Sequence, residues 1–320
     1  MRKRLLGLAA AGAVALAGCS STGSDPSQAV TVGLTYIPNV QFAPVYLADF
    51  GDLDVKIRHH GSDESLFSAL ASGDEQVTVA SGDEVLQARA QGLDVISVGA
   101  FYHHYPVEII VPADSPIQSL ADLKGKKIGL PGEYGSNWFG LLAALEQGGL
   151  TRDQVDIVSV GFTQAASLVA GEVDAIVGFS NSEPVALEQM GFAARSIPLD
   201  EGTPLVGAAI VSTEGFAQQH PDELRQVISA LVGGMQQAID DPEAAVKATA
   251  TWDESLSDQQ AQAGAMAILQ ATIPLWQDRQ GRASALQDLD AWDRMGPYLA
   301  QLLDQPELSD EQGATNEYVD

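Results

Sequence analysis

The chain predicts an α/β fold of two lobes, each a parallel-rich sheet with covering helices. Three observations carry this. From residue 30 onward strands and helices alternate, an order that builds parallel sheets with both faces covered. Near residue 119 the pattern restarts. Two segments, SALASGDEQVTVASGDEVLQARAQG and ASLVAGEVDAIVGFSNSEPVALEQMG, also share one plan: a small-residue helix end, a Gly, an acidic turn, a short apolar strand, a polar loop bearing an acid, and a helix closed by Gly. At 320 residues and 45% hydrophobic content, the chain is long and apolar enough for one large or two medium packed domains.

Taken in order, the first 19 residues stand apart from the fold. MRKR is a basic start, and LLGLAAAGAVALA is an apolar run too short to span a bilayer stably. LAGC then ends at Cys19, a lipobox pattern in which the Cys receives lipid and becomes the new N-terminus. Cys19 is the sole Cys, so the remainder has neither disulfides nor thiolate chemistry. Residues 20–29 are a Ser/Gly/Pro tether. AVTVGLTYI reads as the first strand, followed by a helix near Phe42 to Phe50 and the strand LDVKIRHH. SDESLFSALASG reads as a helix capped by Ser62 and stopped by Gly73. QVTVA is a buried strand, and Ser81 with Glu84 has capping-box spacing at the start of the next helix. DVISVGAFY and PVEIIVP are further strands. After the restart come a turn capped by Ser119 and Asp122, a strand ending at Pro131, a Gly-flanked loop and a helix. The strand VDIVSVG and a second helix–strand–loop–helix follow. From residue 205 a return strand leads into long amphipathic helices. The expected lobes are 30–112 with 206–320, and 113–205. A chain that leaves one lobe and returns makes two crossings, and the cleft between lobes is the natural ligand site.

The formal net charge is −27 and becomes more negative when Arg2, Lys3 and Arg4 leave with the leader. This excludes nucleic acid and direct adhesion to anionic lipid as partners. Four of the five histidines form the pairs His59–His60 and His103–His104. Neighbours in a strand point to opposite faces, so neither pair is a natural metal chelate.

SLADLKGKKIGLPG resembles the start of the second lobe in periplasmic-type solute-binding proteins. YIPNVQFAPVYLA and LVAGEVDAIVGFSNSEPVAL narrow the resemblance to the NMT1/THI5-like group, which includes binding proteins for thiamine precursors, alkanesulfonates, nitrate and riboflavin. The resemblance spans roughly residues 30 to 300. It implies a periplasmic-binding-protein-like fold of type II, with two hinge crossings. It further implies a ligand in the interlobe cleft, delivery to an ABC permease and its ATPase, and no cofactor. With the lipobox, it places a monomer on the outer face of the cytoplasmic membrane. Fungal relatives make the thiamine pyrimidine with a Cys-rich motif and a pyridoxal phosphate lysine; this chain lacks the Cys cluster. No GxSxG, P-loop or HExxH is present. A third reading is an adhesion or sensory lipoprotein, which predicts no neighbouring permease and ATPase genes.

Ligands sit beyond the C-terminal ends of strands in open α/β lobes. After the first strand, YIPNVQFAPVY offers Tyr36, Asn39, Phe42 and Tyr46, with two prolines that pre-set the loop. Aromatic faces stack on flat rings, and Asn39 suits a heterocycle edge. Phe42 and Tyr46, four residues apart, are equally placed to face the helix core. Ser81, Gly82 and Asp83 offer a helix-start N–H and a carboxylate, which serves either an amine or its own helix. Tyr102 lies at the cleft edge. In the second lobe, PGEYGSNWF offers Glu133, Tyr134, Ser136, Asn137 and Trp138, and FSNSE offers Phe179, Ser180, Asn181 and Glu183. Trp276 reads equally as a packing or a rim aromatic. None of these loops carries a cluster of basic residues, which sulfonate, taurine or nitrate would need. A flat vitamin heterocycle, a thiamine-precursor aminopyrimidine or a riboflavin-like molecule, is therefore expected.

Overall fold

The computed structural model describes residues 29–35, 37–61, 64–309 and 312–319. The leader, Cys19, most of the tether, Tyr36 and Ser62 lie outside these residues.

The first sheet contains β1 (Val30–Leu34), β2 (Val55–His59), β3 (Val77–Ser81), β4 (Ile96–Ala100) and β10 (Ala208–Ser212), in the order β2-β1-β3-β10-β4. The second contains β5 (Val107–Pro112), β6 (Lys127–Leu130), β7 (Asp156–Ser159), β8 (Ala175–Phe179) and β9 (Ala194–Pro198), in the order β7-β6-β8-β5-β9. The two plans are identical. In each, the strand arriving from the other lobe, β10 or β5, is antiparallel to both neighbours, while the remaining strands run together. The echo in the sequence is thus a repeat of whole lobes. Burial follows position: central β3 is buried throughout, whereas the edge strand β7 is half-exposed.

One boundary moves. Val107–Pro112, expected to end the first lobe, pairs with β8 and β9 in the second sheet. Its apolar run fits either sheet, and only the pairing decides. The crossings are therefore residues 101–106 and 199–207.

The short helices α1 (Ala43–Leu47) and α2 (Ser68–Ser72) and the longer α3 (Gly82–Ala90) connect strands of the first lobe; α4 (Gly135–Gln147), α5 (Gln164–Val169) and α6 (Glu183–Gln189) do so in the second. After β10 come α7 (Glu214–Gln219), α8 (Pro221–Asp240), α9 (Pro242–Thr249), α10 (Gln259–Trp276) and α11 (Leu289–Leu303). The capping boxes at Ser81–Glu84 and Ser119–Asp122 are both present. One apolar core joins β1, α1, α8 and α10. Another runs through both lobes, from Leu70 and Leu86 past Val107 and Leu141 to Leu299. Trp276 is fully buried in the first-lobe core and so packs rather than lining a rim. The polar tail lies along β4, with Thr315 N donating to Ser97 O at 2.9 Å.

Candidate ligand-binding cleft

A cleft of about 430 Å³ opens between the lobes, bounded by loops that follow β1, β3, β4, β6, β7 and β8. This is a common size for a small-molecule site. Its wall includes nine residues singled out from the sequence: Asn39, Phe42, Ser81, Tyr102, Tyr134, Ser136, Asn137, Phe179 and Glu183.

Several are held by local bonds. Asn39 caps a 3-10 turn, its Oδ1 accepting from Gln41 N at 2.8 Å. Asn137 Nδ2 donates to Val177 O at 3.0 Å, which ties the start of α4 to β8. Glu183 Oε2 accepts from Phe179 N at 2.6 Å, and burial raises its carboxyl above the usual range. Tyr102 is nearly buried, and that burial raises its phenol. Tyr134 is different. It is 60% exposed although it lines the cleft, so its ring is not spent on the core.

Other expected contacts turn away. Tyr46 stacks on Trp252 at 5.4 Å and its hydroxyl lies 3.1 Å from His59 Nε2. Phe42 sits at the helix start and reaches the cleft; one turn later, Tyr46 meets β2 instead. Gly82 N donates to the carbonyls of Val206 and Gly207, so the second crossing already occupies that N–H. Asp83 is fully buried behind the cleft, where burial and then the charge of Glu84 push its carboxyl up to about 7. Glu133 pairs with Arg152, whose guanidinium also lies 5.0 Å over the Trp138 ring. Glu133 is thus held at the surface, while Trp138 is otherwise buried in the core that joins the lobes. Ser180 N donates to Pro106 O at 2.7 Å, and Asn181 is buried with Nδ2 on Thr272 Oγ1 at 2.9 Å. The paired histidines also diverge: His59 meets Tyr46, while His60 Nε2 lies 2.9 Å from Glu75 Oε1.

Sequence reasoning missed Glu84, Phe101, Phe162 and Gln164 in the wall. Phe162 is 69% exposed and lines the same cleft as Tyr134. Its signal was available: GFTQ follows the strand VDIVSV, the same strand-end position as the other loops. Glu84 was read only as a capping residue, and it does both jobs. Among the described residues no Lys, Arg or His lines the cleft, while a carboxyl enters from each lobe, Glu84 and Glu183.

Two like-planned α/β lobes, joined by two crossings around a lined cleft, define the two-lobed binding-protein fold. The chain belongs to the NMT1/THI5-like family, whose pattern matches residues 39–245. It is 31% identical over 309 residues to the riboflavin-binding protein RibY of Chloroflexus aurantiacus, covering 91% of this chain and 86% of that one. It is 28% identical over 249 residues to a formylaminopyrimidine-binding protein of Halalkalibacterium halodurans, covering 74% and 75%. A 4-amino-5-hydroxymethyl-2-methylpyrimidine phosphate synthase of Legionella pneumophila matches half of the chain at 25% identity, covering 52% of that enzyme. In structure it is similar to the periplasmic aliphatic sulphonate binding protein SsuA from Escherichia coli, with a TM-score of 0.69 at 18% identity, covering 89% and 95%. That last likeness speaks to the fold alone.

Proposed function

We propose that the protein is the solute-binding component of an ABC importer and captures a flat vitamin heterocycle between its lobes. The observation that carries this is the composition of the cleft: exposed aromatic rings, amides and hydroxyls, a carboxyl from each lobe, and no basic side chain among the described lining residues. A sulfonate or nitrate carries a full negative charge and would meet two carboxyls and no cation there. A neutral ring with hydrogen-bonding edges meets stacking surfaces and polar partners. Riboflavin ranks ahead of an aminopyrimidine, because RibY matches along nearly the whole chain and a larger ring system uses more of the aromatic wall. Export through residues 1–19 and lipid on Cys19 would hold the protein at the outer face of the cytoplasmic membrane, where a permease and its ATPase take the ligand.

The test is a melting-temperature series on the chain without residues 1–19, with riboflavin, an aminopyrimidine, taurine or nitrate. A ligand at 100 times its Kd stabilises by about 2.7 kcal/mol. A rise with a heterocycle is expected. A rise only with taurine or nitrate would assign the aromatic wall to packing and overturn the reading.

A further inference from the structure

From the cleft wall inward, five groups from both lobes form one chain of polar contacts. Glu84 Oε2 lies 2.7 Å from Ser81 Oγ, which also touches Asp83 Oδ1. Asp83 Oδ2 lies 2.8 Å from the Tyr105 hydroxyl, and that hydroxyl lies 2.7 Å from the Ser136 carbonyl of the second lobe. Each hydroxyl carries one proton and faces two acceptors. Ser81 and Tyr105 can therefore make two of these four contacts as donors. The other two are hydrogen bonds only if carboxyls supply protons. A proton on Asp83 can be given to Tyr105, which then donates to Ser136 O. A proton on Glu84 can be given to Ser81, which then donates to Asp83.

We infer that Asp83 and Glu84 keep a proton between them, that Glu84 meets the ligand as the cleft end of this proton-carrying chain, and that ligand capture takes up a proton. This rests on the reading of the ligand as a neutral heterocycle. Burial already holds both carboxyls above the usual range, and the charge of Glu84 adds to the rise at Asp83. A ring laid over Glu84 removes more water, and that loss outweighs one hydrogen bond from a neutral donor. Among the described residues, the other titratable groups around the pair are Tyr105 from the first crossing and, in the cleft wall, Tyr102, Tyr134 and Glu183. A Cβ built at Gly135 would lie 3.4 Å from Glu84 Oε1, so the chain's cleft end reaches the second lobe as well. Asp83 is a positioning residue here, because it acts through Ser81 and Glu84.

The sign follows from the linkage. Where the unliganded pair already holds its proton, affinity is level. At higher pH, where the pair has lost it, the proton must be taken from solvent, so Kd rises by up to tenfold per pH unit. The experiment is calorimetric titration with riboflavin and with 4-amino-5-hydroxymethyl-2-methylpyrimidine from pH 5.5 to 8.5, in two buffers of different ionisation enthalpy. Wild type should take up protons near pH 8 and weaken there. Asp83→Asn and Glu84→Gln each remove one of the two groups that share the proton, and should flatten the wild-type rise of Kd between pH 6 and pH 8.5 whatever their affinity at pH 6. Glu183→Gln should keep the wild-type slope. A level wild-type profile without proton uptake overturns the inference, as does a slope that vanishes in Glu183→Gln instead. If neither compound binds, the reading of the ligand falls. Carboxyl NMR titration of the unliganded protein then decides for the pair: both groups ionising in the usual carboxylate range overturns it, and one proton retained near pH 6 supports it.

Discussion

Phe162 and Tyr134 are large aromatic side chains left largely exposed in a wall that also holds buried Phe101 and Tyr102. Phe162→Ala and Tyr134→Ala should each weaken heterocycle binding by roughly 1 kcal/mol, about fivefold in Kd. Tyr134 is 60% exposed, so Tyr134→Ala should also leave the melting temperature of the unliganded protein in place. Calorimetric titration checks the first statement and a melting curve the second. Asp83 behaves oppositely, because it is wholly inside. Its carboxyl is raised, so between the unfolded value near 3.9 and about 7 the folded chain holds a proton that the unfolded chain has lost. Folding stability therefore falls as pH rises through that window and levels above it. Asp83→Asn lacks this loss: it should flatten the decline in melting temperature between pH 5 and pH 8. An unchanged decline would place the titration elsewhere. Loop positions were legible at this scale, since every expected site loop borders the cleft, with Tyr36 itself lying outside the described residues. Side-chain direction was not. Tyr46, Trp138 and Asn181 are each claimed by a partner distant in sequence, namely Trp252, Arg152 and Thr272. Nothing in a short motif names such partners.

Among the elements, helix starts were the clearest in the sequence. A capping box lies within four residues, so Ser81–Glu84 and Ser119–Asp122 declare themselves locally. Within the described part of the helix expected over 62–73, only Ser68–Ser72 is helical, and Glu64 pairs with Arg58 on the neighbouring strand. Sheet membership of β5 was likewise hidden, since pairing is a long-range fact. The contact of α8 with α1 is backbone on backbone. A Cβ at Gly234 would lie 1.9 Å from Pro44 O, with no flexible side chain there to yield. Gly234→Ala should thus separate the helices and lower stability by about 1–3 kcal/mol, read by urea unfolding. Stability equal to wild type would mean that the two helices slide freely.

Across the whole molecule, the two lobes share a continuous apolar core from α3 through α4 to α11, besides the polar chain at the cleft. Domains that share a core melt together. Calorimetry of the unliganded protein should show one transition; two resolved peaks would mean that the shared core does not couple the lobes. The interleaving of the sheets bears on time as well as on space. The second sheet is drawn from one unbroken stretch, Val107 to Pro198, whereas the first has β10 wedged between β3 and β4. A ribosome delivers β3 and β4 more than a hundred residues before the strand that joins them. Until then two bare strand edges stand open, the kind of surface that recruits stray partners. The half of the molecule that is made first is therefore finished last. During synthesis, the protein is most vulnerable in the very lobe that emerges first.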